Sequence, residues 1–302
     1  MSISMNDVFI LDLLDELSTK KIDYLFRGSS DKLITHVCSF ENAGDKALCF
    51  YRGRDFSKCS NYCSNENLFI VHYEMEKVLP EKGNFILTEN PDLCFCIIGA
   101  IFKKPMESLI HPTAQVQEGA SVGVGSSIGA YACVCSNTVI HSNVVIGSGC
   151  SISNTEVGEN TQIGSGVKIG GTGLGSQQDA TGKWYDFPHF GRVIIGRDVH
   201  IQENSVINRG TLSDTLIGNG VRIGPLCCIG HGVQIDANCF ISQSVRIAGS
   251  VVIGSGAKLW VNSSVRDGVT IASKAVVGMG AIVVSDIQKP EIWVGNPARP
   301  IK

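Results

Sequence analysis

Aliphatic residues recur at every sixth position through most of the chain after residue 109. The first run reaches residue 152, where the register slips by one residue. The period is then interrupted between residues 170 and 192, and two five-residue steps through Leu212 precede an unbroken run to residue 283. The positions are Ile110, Val116, Val122, Ile128, Val134, Ile140, Ile146, Ile152, Val157, Ile163, Ile169, Ile195, Ile201, Ile207, Leu212, Ile217, Ile223, Ile229, Ile235, Ile241, Ile247, Ile253, Leu259, Val265, Ile271, Val277 and Val283. A fixed period of this length predicts a solenoid.

Each six-residue unit has a second inward position four residues after the aliphatic one, where the side chain is small or β-branched, as at Cys227 and Val233. Two inward residues in six fit a short strand followed by a turn. Glycine often follows the aliphatic residue directly, as at Gly218 and Gly224, which predicts a sharp bend there. Three units make a coil of about 18 residues, and stacked coils bury a continuous aliphatic column. The pattern predicts a parallel β-helix over residues 108–302.

Residues 1–107 lack this period. They begin with a helical pattern and continue with short apolar strands such as KALCFY and NLFIVH, so they predict a separate small α/β domain whose boundary lies near Pro105. The glycine-rich segment 170–192 is too long for a structural turn and is expected to protrude beside a site. Its GGTGLG resembles a phosphate-binding loop, but no helical pattern follows it. Residues 285–302 form a tail after the last repeat.

Composition narrows the class of protein. The chain is 43% hydrophobic and 18% charged, and its net charge of -3 with a pI near 6.2 gives no electrostatic footprint for nucleic acid. Acidic residues through positions 7–16 argue against a signal peptide or membrane span, so we expect a cytoplasmic protein without membrane insertion. The 12 cysteines lack the spacing of a zinc site, and Cys150, Cys227 and Cys239 occupy the small inward position. We expect no metal.

His231 lies two residues after Ile229, at an outward corner of the predicted β-helix. Counting back along the repeats places Asp214 beneath it, and Gly249 takes the same position one coil above. A carboxylate on one imidazole nitrogen would leave the other free as a general base, and the Gly249 N–H could meet a developing oxyanion. A solvated corner histidine above an aspartate that caps a turn fits the same pattern equally well.

Two further histidines have distinguishable positions. His141 occupies a comparable corner, but the counting places no carboxylate beneath it, so its predicted role is structural. His189 lies on the segment 170–192, where it either lines a substrate pocket or is solvated.

Several segments resemble the UDP-3-O-acylglucosamine N-acyltransferases of lipid A synthesis, and the resemblance covers most of the chain. They are GRVIIG (191–196), RGTLSDTLIGNGV (209–221), CCIGHGVQI around His231 and GMG (278–280). The resemblance implies a left-handed β-helix and homotrimers with active sites between neighbouring prisms. It also implies that His231 is the general base. A similarity to related bacterial sugar N-acetyltransferases implies that the Gly249 amide supports the oxyanion. Arg209 and His189 are assigned to the substrate pocket.

The same resemblance implies a nucleotide site in the first domain, where the family stacks uracil between two aromatic residues six positions apart. Phe50 and Phe56 have that spacing, and Asn90 lies in an ENP segment (89–91) similar to a family motif. The alternative is that both phenylalanines are core residues. Gly53 stands where the family has an asparagine, and the second aromatic is often tyrosine, so the identity of the base stays open.

Two differences from this family favour an acyl donor other than an acyl carrier protein. Asp267 replaces a family histidine, and the ending WVGNPARPIK resembles the tail of acetyl-CoA-dependent sugar acetyltransferases rather than carrier-protein-binding helices. Arg299 and Lys302 could contact the CoA phosphates, with Gly249 and Asp267 along the same groove. The sequence therefore predicts CoA-dependent N-acetylation of a nucleotide-linked amino sugar for bacterial surface polysaccharide. The alternatives are acyl-carrier-protein-dependent acylation of UDP-3-O-acylglucosamine and a non-catalytic scaffold. A γ-class carbonic anhydrase is rejected because His231 has no histidine partners at zinc-binding spacing.

Overall fold

Residues 7–53, 63–103 and 108–301 are described by the structure, a computed structural model. The chain divides into two compact units, Met1–Pro105 and Met106–Lys302. The described residues contain no helix long and apolar enough to cross a membrane.

The first unit is built on a five-stranded sheet. In spatial order its strands are Leu25–Arg27, Asn84–Thr88, Leu68–His72, Ala47–Phe50 and His36–Val37; the first pair is antiparallel and the other neighbours are parallel. The remaining elements are the paired strands Val8–Phe9 and Leu33–Ile34, the α-helices Ile10–Thr19 and Pro91–Ile98, and the 3-10 helices Phe40–Asn42, Tyr73–Val78 and Gly99–Phe102.

The sheet of the first unit is covered on both sides because its central strands are apolar at successive positions. Leu68 and Ile70 belong to one apolar cluster with the two α-helices, while Phe69 and Val71 belong to a second cluster that includes Met75. In the first α-helix, apolar residues at the spacing i, i+3, i+4 and i+7 form the buried stripe.

The second unit is a three-sided prism, and each face is a sheet in which strands of successive coils pair in parallel. This confirms the predicted parallel β-helix. The first face contains Gln115–Val116, Cys133–Val134, Ser151–Ile152, Lys168–Gly171, Val206–Asn208, Cys228–Ile229, Arg246–Ile247, Ser264–Val265 and Ile282–Val283. The second contains Ser121–Val122, Val139–Ile140, Thr155–Val157, Val193–Ile195, Thr215–Ile217, Gln234–Ile235, Val252–Ile253 and Thr270–Ile271. The third contains Ser127–Ile128, Val145–Ile146, Gln162–Ile163, His200–Ile201, Arg222–Ile223, Phe240–Ile241, Lys258–Leu259, Val276–Val277, Ile292–Val294 and, antiparallel, Arg299–Pro300.

The glycine after the aliphatic residue has a different role from the predicted bend. The positive φ of each turn falls two residues later, as at Gly220 (+70°) and Asn238 (+59°). Gly224 has no positive φ; a Cβ built on it would lie 2.7 Å from the backbone nitrogen of Gln243 in the next coil. Glycine is required there because neighbouring coils approach closely.

Two insertions leave the prism at one corner, where the first face turns into the second; we call it the first corner. The longer insertion, between Ile169 and Val193, contains an antiparallel ribbon of Ser176–Gln178 and Trp184–Asp186. The shorter one, residues 209–214, includes Leu212, whose predicted inward position is wrong because the residue is 82% exposed.

The tail closes the end of the aliphatic column. Ile287 bridges to Ile271, and Ile287 and Ala298 are each 1% exposed, with Trp293 packed against the same core. The tail therefore continues the third face and covers the last coil with apolar side chains.

Candidate active site

His231 belongs to a vertical column of residues at the first corner. Strand pairing stacks Ile229 on Ile207 below and on Ile247 above. Each member of the column lies two residues after the aliphatic residue of its own coil on the first face. The column reads, from bottom to top, Arg209, His231, Gly249 and Asp267.

The predicted contact between Asp214 and His231 is wrong. The prediction took Leu212 as the repeat residue beneath Ile229, whereas Leu212 lies in the shorter insertion and strand pairing places Ile207 there. Asp214 lies in the shorter insertion, where its Oδ1 accepts a hydrogen bond from the backbone N–H of Arg192 at 2.6 Å. The hydroxyl of Thr211 takes the expected place, 3.4 Å from Nδ1 of His231.

The other ring nitrogen of His231 faces Gly249. A Cβ built on Gly249 would lie 2.6 Å from Nε2 of His231 and 2.7 Å from Oδ1 of Asp267. The absence of a side chain on Gly249 therefore keeps open a space that borders both an imidazole nitrogen and a carboxylate oxygen. No acceptor among the described residues binds the Gly249 N–H.

The longer insertion brings His189 to the same place. His189 is 7% exposed, and its Nδ1 donates to the carbonyl oxygen of Phe187 at 2.9 Å. The ring centroids of His189 and His231 are 5.5 Å apart at an interplanar angle of 70°. Nε2 of His189 is buried and has no hydrogen-bond partner in the described part of the chain. An acceptor in that state is available to a donor group that enters from the cavity.

These groups line one cavity of about 480 Å³ on the second unit. Its walls are Leu174, Gly175, Ser176, Gln177, Phe187, His189, Thr211, His231 and Asp267. The insertion 170–192 thus encloses the corner histidine, and a volume of this size is typical of small-molecule sites.

Hydrogen bonds between side chains and the backbone join the two insertions and fix the turn that follows His231. Arg209 donates from Nε to the carbonyl of Gly191 and from Nη2 to that of Phe190. Thr215 is fully buried and accepts from the N–H of Gly232, directly after His231. The guanidinium of Arg209, predicted to bind substrate, lies outside the cavity lining and joins the insertion to the prism.

His141 has a carboxylate partner, although the sequence predicted none. Its Nε2 lies 3.1 Å from Oε1 of Glu156, and Oε2 of Glu156 lies 3.4 Å from Nη2 of Arg192. Glu156 comes from the coil above, where the reading had considered only the coil beneath. Both partners of the histidine pair are well exposed, so its contribution to stability is small.

The residues predicted to bind a nucleotide lie on the first unit. Phe50 stacks on Phe95 with centroids 4.2 Å apart and an interplanar angle of 16°. Asn90 caps the second α-helix by accepting from the N–H of Leu93 at 3.0 Å. A cavity of about 290 Å³ is lined by Arg52, His72, Glu89, Asn90, Pro91 and Asp92. Phe56 lies outside the described residues.

The residues predicted to bind CoA are not all at the cavity. Asp267 lines it, whereas Arg299 lies on the added strand of the third face and donates from Nη1 to the carbonyl of Ala298 at 2.8 Å. Arg299 is therefore not among the residues that line the cavity. Lys302 lies outside the described residues.

Sequence reasoning missed Thr211 and Gly173. A Cβ on Gly173 would lie 2.9 Å from Cδ2 of His231 and 3.3 Å from Nε2 of His189, so a glycine there lets the insertion pass close to both rings. The RGT and GGTG segments that contain these residues had been noticed, but a segment without periodicity does not reveal which residue meets His231. No group of three or more metal-ligating side chains occurs among the described residues.

Comparison with known proteins first identifies the class of protein. A profile for the bacterial transferase hexapeptide (six repeats) matches residues 214–249, and one for the GMPPB C-terminal domain matches residues 105–215. The UDP-N-acetylglucosamine acyltransferase of Bacteroides fragilis superposes with a TM-score of 0.58 at 23% identity, and that of Campylobacter jejuni with 0.58 at 26%; each alignment covers 64% of this chain and 74% of the other. The fold is that of the left-handed β-helix acyltransferases.

Sequence relatives then identify the family. A UDP-3-O-acylglucosamine N-acyltransferase of Acinetobacter baumannii is 36% identical over 257 residues, which is 78% of this chain and 71% of the relative. One from Coxiella burnetii is 31% identical over 262 residues, 78% and 74% of the two chains. The chain belongs to the UDP-3-O-acylglucosamine N-acyltransferase family.

These relatives correct the predicted function. Their similarity extends over most of the chain and contradicts CoA-dependent acetylation for surface polysaccharide as the main activity. The alternative from the sequence, acylation in lipid A synthesis, agrees better with them. An acyltransferase as such is confirmed.

Proposed function

We propose that the protein transfers an acyl group to the glucosamine amino group of UDP-3-O-acylglucosamine. The observation that carries the proposal is the position of His231, whose Nε2 faces open space over Gly249 inside a cavity of about 480 Å³. Membership of the family supplies the acceptor.

The chemistry follows from the two sides of the His231 ring. With Nδ1 beside the Thr211 hydroxyl, Nε2 is free to accept a proton from the amine as its nitrogen attacks the thioester carbonyl. The N–H of Gly249, which has no acceptor among the described residues, stabilises the oxyanion of the tetrahedral intermediate. When the C–S bond breaks, the imidazolium returns its proton to the thiolate.

We propose an acyl carrier protein as the acyl donor, since this is the donor that the resemblance to the lipid A enzymes implies. A competition experiment tests it: acetyl-CoA and an acyl-loaded carrier protein are offered together with UDP-3-O-acylglucosamine. Faster transfer from the carrier protein is expected. Faster transfer from acetyl-CoA would contradict the donor assignment while leaving the acceptor assignment intact.

We also propose that the first unit holds the uridine through its Phe50 surface and the cavity beside Asn90, and that three copies assemble. Removal of Phe50 is expected to weaken acceptor binding, because stacking of a base on an aromatic ring is worth about 1–3 kcal/mol. Calorimetry on a folded Phe50→Ala variant measures this, and light scattering measures the mass of the assembly. Unchanged affinity would remove the nucleotide from this unit.

The decisive experiment for the reaction is His231→Ala. Turnover should fall at least about 10²-fold, the scale for losing a general base, with an unchanged melting temperature. His111→Ala is the matched control, because His111 also follows an aliphatic repeat position and its ring Nδ1 hydrogen-bonds to Thr113 within its own turn. Turnover near that of the wild type in the His231 variant would exclude His231 as the base.

A further inference from the structure

The charge in the cavity is arranged for a cationic group. Asp267 is the single carboxylate among the cavity-lining residues, and none of them is a lysine or arginine. Within the described residues Asp267 makes no hydrogen bond or ion pair, and it is exposed. A carboxylate without a partner that borders a binding cavity is a ready counter-ion for an ammonium group.

The geometry places that carboxylate opposite the base. Nε2 of His231 and Oδ1 of Asp267 both lie within 2.7 Å of the position that a Cβ of Gly249 would take. A ligand nitrogen held over Gly249 therefore has an imidazole acceptor on one side and a carboxylate acceptor on the other. The strand register fixes this arrangement, because the three residues occupy the same corner position in three successive coils.

We infer that Asp267 binds the ammonium group of the acceptor sugar and holds it against His231. The inference rests on the proposed function and reassigns Asp267 from the acyl donor to the acceptor. Glucosamine carries its amine in the protonated form near neutral pH, so the site must bind a cation and then remove its proton.

The proton balance requires two acceptors. The ammonium loses one proton to Nε2 of His231, which frees the lone pair for attack on the thioester carbonyl. The nitrogen of the tetrahedral intermediate loses its second proton to water. The C–S bond then breaks, and the thiolate takes the proton from the imidazolium. One amide, one thiol and one solvent proton result.

The test compares Asp267→Asn with the wild type. Asparagine keeps the shape but removes the charge, so the KM for the amine acceptor should rise at least about tenfold while the KM for the acyl donor stays unchanged. The kcat/KM of the variant should recover as the pH rises and the acceptor becomes neutral, since a neutral amine gains less from a carboxylate. The Ki of an acceptor analogue with a hydroxyl in place of the amine should be the same for both proteins.

The control is Asp236→Asn, because Asp236 is an exposed aspartate two coils below, at another corner, that lies outside the cavity lining. An unchanged acceptor KM and pH profile in Asp267→Asn, or a rise in the donor KM instead, would overturn the inference. Its failure is distinguishable from failure of the proposed function, since His231→Ala would still be inactive in the first case and active in the second.

Discussion

The coils from Ile217 to Val283 and those from Ile152 to Ile217 are built from the same repeat but do different things. In the upper coils each face recurs after 18 positions, as between Ile229 and Ile247, and the corners are tight turns. In the lower coils the sequence separation of stacked residues increases to 38 positions between Ile169 and Ile207 and to 22 between Ile207 and Ile229. Both enlargements occur at the first corner.

The two regions contribute different parts of the site. The regular coils hold His231, Gly249 and Asp267 in one column, since strands in neighbouring coils keep a spacing of about 4.8 Å. The insertions supply the walls and the group on Nδ1, namely His189 and Thr211. The regular coils hold the site residues at fixed positions. The inserted segments enclose the cavity and supply contacts that the repeat does not provide.

The regions also differ in what stabilises them. Ile235 in the regular part is 2% exposed, whereas Leu174 and Trp184 in the long insertion are 94% and 62% exposed. The insertion is held by Arg209 and by backbone bonds such as Phe190 N–H to Thr211 O at 2.7 Å. Apolar residues in the two regions should therefore respond differently to truncation.

The largest expected effect is a difference in stability between truncating an aliphatic residue of the repeat and truncating one in an insertion. Ile235→Ala should lower the free energy of unfolding by about 2–5 kcal/mol, because it opens a cavity in the aliphatic column. Leu212→Ala should change it by less than about 0.5 kcal/mol, because Leu212 is exposed. Urea denaturation of both variants measures the difference, and equal losses would mean that Leu212 belongs to the core.

The next effect compares the activity and stability of alanine variants at two corner glycines. In Gly249→Ala the methyl group fills the space between His231 and Asp267, and kcat/KM should fall at least about 10²-fold, as for a 1 Å misplacement. Gly224→Ala is the matched control, since the atoms nearest to its methyl group belong to the backbone of the next coil. That variant should lose stability but keep its activity per folded molecule; the reverse pattern would contradict the site.

A smaller effect tests which residue of the short insertion supports His231. Thr211→Val should lower kcat by about tenfold, the worth of one hydrogen bond of about 1.4 kcal/mol. Asp214→Asn should stay close to the wild type, because asparagine keeps the Oδ1 that accepts from Arg192. Steady-state thiol release distinguishes them, and a greater loss in Asp214→Asn would restore the aspartate as the orienting group.

The smallest effect concerns the alternation of inward and outward residues within a regular coil. Cys227 is buried and burial raises the pKa of its thiol, whereas Cys228 is exposed. Since alkylation requires the thiolate, iodoacetamide at pH 8 should label Cys228 and spare Cys227 until the protein unfolds. Peptide mass spectrometry locates the label, and modification of Cys227 in the folded protein would contradict the register.

The sequence by itself determined the β-helix and the stacking of His231 with Gly249, because a six-residue period states which residues face inward and an uninterrupted run keeps 18 positions per coil. It did not determine the partner of His231. Leu212 is apolar and falls at a plausible step, so the period was continued through a segment that had left the prism, and Asp214 was placed where Thr211 lies. The same limit applies to Glu156 beside His141, which the counting missed because it considered only one neighbouring coil. Tertiary structure alone decided these contacts and the burial of His189, because inserted segments have no period and their positions depend on hydrogen bonds between residues distant in the chain.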